Sequence, residues 1–128
     1  MAADELVRDF VLASHGDLGK VRSMLVEHPE LLELEHDWGP QGGLENAIGA
    51  ASHVGNREIA EFLISRGAMP TICTWAMLGR RDQVAAALEA DPGQANARGA
   101  HGITVLFHTA MSGDTGKAPR LATLTRAA

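Results

Sequence analysis

The chain writes one short phrase twice. Residues 13–16 read Ala-Ser-His-Gly and residues 51–55 read Ala-Ser-His-Val-Gly, with His15 and His53 38 positions apart. Two fainter copies end on Gly79 and Gly113, and a small residue (Ala13, Ser52, Ala76, Ala110) stands three places before each glycine. After the first three glycines come apolar triplets at i, i+3, i+4: Val21, Met24 and Leu25, then Ile59, Phe62 and Leu63, then Val84, Ala87 and Leu88. That spacing lines one face of a helix. Four residues past each triplet sits a breaker, Pro29, Gly67 or Pro92. The unit reads as helix, tight glycine turn, antiparallel helix. Each reference glycine is expected at positive φ, with Asp17, Asn56 or Asp114 capping the helix that follows. Two short helices bury too little surface alone, so the units must stack.

Composition fits that reading. Of 128 residues, 45% are apolar but only 4% aromatic, which favours close aliphatic helix packing over a sheet of bulky side chains. Cys73 is the single cysteine, so no internal disulfide forms and a reducing, cytoplasmic setting is expected. The opening MAADELVRDF carries early acids and no long apolar run, unlike a signal peptide. No stretch reaches the roughly 18 apolar residues of a membrane span. Residues 1–114 hold all 16 acids against 8 Lys and Arg, which disfavours nucleic acid as a partner. Residues 115–128 carry Lys117, Arg120, Arg126 and no acid, and read as a tail or a weak capping helix.

The segment 95–114, ANARGAHGITVLFHTAMSGD, resembles the finger and first helix of an ankyrin repeat, where Gly-x-Thr-Pro-Leu-His-x-Ala-Ala is usual. Gly102, Thr104, Leu106, Ala110 and Gly113 fall in place, while Val105 and Phe107 replace the usual Pro and His. GNREIAEFLISRGA and GDLGKVRSML resemble the family's second helix. Trp75 stands where a small residue is usual, and the link RGAMPT is too short for a full finger. The resemblance implies an all-α, ankyrin-like solenoid of about three and a half units over residues 1–114, with short or degenerate β-fingers. It also implies a partner protein on the concave face. Carried over by position, the partner-facing candidates are Ser14, His15, His53, Val54, Met77, Leu78, Met111 and Ser112 on the helices. On the fingers they are Trp38, Glu45, His101 and Ile103. Trp38 could equally fold back over the acidic linker, and Met77 and Leu78 could instead pack as core in a third unit distorted by Trp75. Self-association through the C-terminal end is a further expectation.

Catalytic constellations are missing from the sequence. SGDTGK (112–117) lacks the glycine frame of a phosphate loop. Ser14–His15 and Ser52–His53 are adjacent pairs, which diverge by about 100° on a helix. Cys73 opens a first helix with no base assigned to it, and reads as a buried structural thiol. Neither His motif holds a second ligand at metal spacing, so no metal or cofactor is expected. In the acidic linker 27–37, Glu33, Glu35 and Asp37 alternate as in an extended strand. The expected function is non-catalytic protein–protein interaction. The alternative is a small metal-dependent enzyme or regulator using His15, His53 and that linker.

Overall fold

The computed structural model describes residues 3–111. The chain is mainly helical, with 67% of these residues in helix and seven α-helices among them. Helices α1 (Ala3–Ala13) and α2 (Leu18–Glu27) form a first hairpin, α3 (Ala47–His53) and α4 (Arg57–Ser65) a second, and α5 (Ile72–Leu78) and α6 (Arg81–Ala90) a third. Helix α7 (Val105–Ala110) follows, and the expected tail at 115–128 lies outside the described residues. The first helices form a row, α1 against α3, α3 against α5 and α5 against α7, while α2, α4 and α6 pack on their own partners.

Local chemistry fixes the helix ends. Asp17 accepts from Lys20 N and Asn56 from Ile59 N, as expected for caps. The glycines divide. Gly55 and Gly79 have φ of 74° and 73°, and the next residue's N–H reaches back five residues, Asn56 to Ala51 and Arg80 to Trp75. Gly16 is not left-handed, contrary to expectation. The first turn is one residue shorter, and Asp17 N reaches back only four residues, to Ala13 O at 2.7 Å. A four-residue return continues helical geometry and needs no left-handed residue.

The triplets face the core. Val21, Ile59, Leu63, Val84 and Leu88 are buried. One apolar cluster spans α1 to α5 and a second joins α5, α6 and α7, with Trp75 packed against both. The acidic linker departs from its expected extended form. Pro29–Glu33 is a 3₁₀ turn that buries Leu31, and pairing is confined to β1 (His36–Asp37) with β2 (Leu44–Glu45). Proline at the first position favours a helical turn there, and burial of Leu31 holds it. Residues 98 and 104 close a second finger through a single bridge. The link 66–71 between α4 and α5 makes no finger, so β2 packs directly on the turn Ala100–Gly102.

Candidate metal centre

The two outer fingers bring four side chains to one point. His15 follows α1, His53 ends α3, Glu45 ends β2 and His101 stands in the turn Ala100–Gly102. The Glu45 side chain is 0% exposed, and those of His15, His53 and His101 are 25%, 14% and 31% exposed. Glu45 Oε2 lies 2.9 Å from His53 Nε2, 3.4 Å from His15 Nε2 and 3.3 Å from His101 Nε2. The two Nε2 atoms of His15 and His53 are 3.3 Å apart, and one ligand atom from each of the four residues lies within 4.8 Å of the others.

Backbone carbonyls orient two of the rings. His15 Nδ1 is 3.0 Å from Val11 O and 3.1 Å from Leu12 O, and His101 Nδ1 is 3.0 Å from Gly42 O. A carbonyl only accepts, so each Nδ1 carries the hydrogen and each neutral ring turns its Nε2 lone pair to the centre. His101 adopts φ 58°, an uncommon conformation for a residue with a side chain. On the carboxylate, Oε1 accepts from Trp38 Nε1 at 2.7 Å, whereas Oε2 has no hydrogen-bond partner among the described residues. The imidazoles crowd Oε2 without hydrogen-bond geometry. The Nε2 lone pairs of His15 and His101 and the carboxylate oxygen repel one another unless a proton or a metal ion stands among them.

The four ligand–ligand separations above, 2.9 to 3.4 Å, bear on which cation fits. A tetrahedral ion with bonds of about 2.0–2.1 Å separates its ligands by about 3.3–3.4 Å. Imidazole nitrogen with one carboxylate suits zinc and its first-row neighbours, and Nδ1–H bound to a backbone carbonyl is the usual outer support of such a ligand.

Burial opposes the charge on Glu45, but contacts with His15 and His53, the His15 charge and the Trp38 hydrogen bond hold its carboxyl well below the usual carboxylate range. Contact with Glu45 raises the His15 pKa against the opposing effect of burial. In metal-free protein the two contributions bound a window. That of Glu45 is present above its unfolded value near 4.5 and fades as pH falls. That of His15 is present below 6.5 and is lost as pH rises through the raised folded value. Urea unfolding with chelator present is therefore expected to show His15→Gln losing stability to wild type at pH 6, with the gap narrowing toward pH 8. A constant gap would disprove the coupling.

The remaining sequence candidates fall elsewhere. Of the two readings of Met77 and Leu78, open face or core, the structure has the second: both are buried, because α5 is enclosed by α3, α4, α6 and α7. Ser14 is also buried, and its Oγ donates to Phe10 O. Glu45, expected on an open finger, is buried as the floor of the centre. Val54, Ile103 and Met111 are half-buried, with Met111 against the larger core cluster. Ser112 lies outside the described residues. Trp38 folds inward, edge-on to His36 at 4.3 Å. The acidic linker contributes nothing to the four-residue group. All four members stand among the partner-facing candidates, and His15 and His53 also in the metal-dependent alternative, but nothing local ties Glu45 or His101 to the two repeated histidines.

A neighbouring cavity of about 240 Å³ is lined by Glu45, Ser52, Cys73, Arg98 and His108, among others. His108 is buried, donates Nδ1–H to Thr104 O at 2.7 Å, and has no partner for Nε2 among the described residues. Burial lowers its pKa. Burial pushes the Cys73 thiol up to about 11, which removes it as a nucleophile at neutral pH.

Fold and site together define a mainly helical protein of side-by-side hairpins with a three-histidine, one-carboxylate cluster between its fingers. No family model, curated protein or solved structure matches the chain.

Proposed function

We propose that the chain is an ankyrin-like repeat domain that binds one divalent transition-metal ion through His15, Glu45, His53 and His101. The observation that carries this is Glu45 Oε2, buried without a hydrogen-bond partner among the described residues and ringed by three imidazole nitrogens at 2.9–3.4 Å. The ankyrin-like reading is supported by the row of first helices and by caps at Asp17 and Asn56. The role is non-catalytic, in a cytoplasmic setting that rests on the single cysteine.

Equilibration with Zn(II), Co(II) or Ni(II), followed by desalting and elemental analysis, tests it. One ion per chain is expected. His53→Ala is expected to weaken binding by more than about 100-fold, beyond the usual cost of losing an outer hydrogen-bond partner. Wild-type protein that emerges without metal would refute the reading.

Protein binding on the same side is a second reading, favoured by Leu44, which neighbours Glu45 on the finger and is 58% exposed. The C-terminal end, where self-association is expected, lies outside the described residues.

A further inference from the structure

The two oxygens of Glu45 have different surroundings. Oε2 points among the imidazoles, while Oε1 is committed to the indole N–H of Trp38 at 2.7 Å. A charge-assisted hydrogen bond of that length holds its oxygen away from a second role. Trp38 is itself fixed in place. A Cβ on Gly42 would stand 2.4 Å from Trp38 Cβ, so only glycine lets the turn close over the indole. The Gly42 carbonyl accepts from His101 Nδ1, so one turn places both the indole and a ligand ring. Arg8 lies over the indole, 6.0 Å from the ring centroid.

We infer that Trp38 is a positioning residue: it keeps Glu45 monodentate and so reserves a solvent-facing coordination position for a small anion. This rests on the metal reading above. Three imidazoles and one oxygen supply four ligand atoms, and first-row ions other than zinc readily take five or six. The carboxylate is fully buried, whereas all three imidazoles are partly exposed, so the side away from Glu45 faces water. Neutral imidazoles and one carboxylate leave a divalent ion with a net charge of +1, which favours an anionic fifth ligand over a neutral one.

The test uses the full chain loaded with Co(II), whose visible spectrum reports coordination number, titrated with azide. Wild type is expected to show the weak bands of five- or six-coordinate cobalt and a saturable shift with azide. Trp38→Phe frees Oε1 to become a second donor. It is expected to keep one cobalt per chain while azide binding weakens by about tenfold or more, the scale of losing an outer hydrogen-bond partner. Trp38→Gln restores a side-chain N–H and is expected to recover part of the response. Intense tetrahedral bands in wild type that azide leaves unchanged would overturn the inference, as would an undiminished azide response in Trp38→Phe. Should Trp38→Phe not fold, the wild-type titration and the Gln variant decide the matter. Failure of wild type to bind cobalt at all would overturn the parent metal reading instead.

Discussion

Metal at a hundredfold excess over its dissociation constant raises the unfolding midpoint by on the order of 10 °C, and Glu45→Gln abolishes the rise. Binding to the folded state alone at that excess adds about 2.7 kcal/mol, and a chain of this length gains roughly 4 °C per kcal/mol. The four ligands come from the end of α1, from β2, from α3 and from the turn Ala100–Gly102. Only the assembled stack brings them together, so the folded state takes the metal in preference to the unfolded chain. Metal-free Glu45→Gln is expected to be less stable than wild type at pH 6, with the gap narrowing toward pH 8 as His15 loses its proton. Its amide oxygen still accepts from Trp38, and its NH₂ group offers donors where the carboxylate sets an acceptor against lone pairs. The gap widens toward pH 6, because wild type then holds a protonated His15 against the carboxylate. Differential scanning fluorimetry with and without Zn(II) reads both effects. An equal metal-induced rise in Glu45→Gln would show that the ion binds elsewhere.

Met77→Ala costs about 2–5 kcal/mol, the range for truncating a buried methionine, from a total stability of about 5–15 kcal/mol. Met77 is completely buried in the larger core cluster. It sits on the last turn of α5, where the Met77 and Leu78 carbonyls accept from the Arg57 guanidinium at 3.3 and 3.0 Å. Met69→Ala, on a side chain 71% exposed, is expected to change stability by less than about 0.5 kcal/mol. Urea unfolding of the pair checks the contrast. Near-equal stabilities would show that Met77 is not part of the core.

The burial of Met77 and Ser14 has a common, non-local cause. Counting back from the reference glycines locates the helices, because capping and periodicity are local: Asp17, Asn56, Pro29 and Gly67 each act within a turn of their own position. Which face of a short helix meets solvent depends on how many neighbours surround it. Helix α5 has only seven residues and four packed neighbours, and only Trp75 among those residues is not buried. The histidines divide in the same way. His15 and His53 are matched by the repeat, and their closeness follows from stacking. His101 reaches the cluster from 48 positions further along the chain, through a backbone angle and a hydrogen bond to Gly42 that no local pattern encodes. Glu45 is one of 16 acids, and only its partners set it apart.

The stretch 66–71 is too brief to raise a finger, and as a sequence it looks like decay of the motif. In three dimensions that loss is generative. A finger standing between the first and third projections would part His101 from His15 and His53. Without such a wall, the turn that carries His101 closes over the same chamber as the two stacked histidines, so the shortness of one connection sets which side chains can meet.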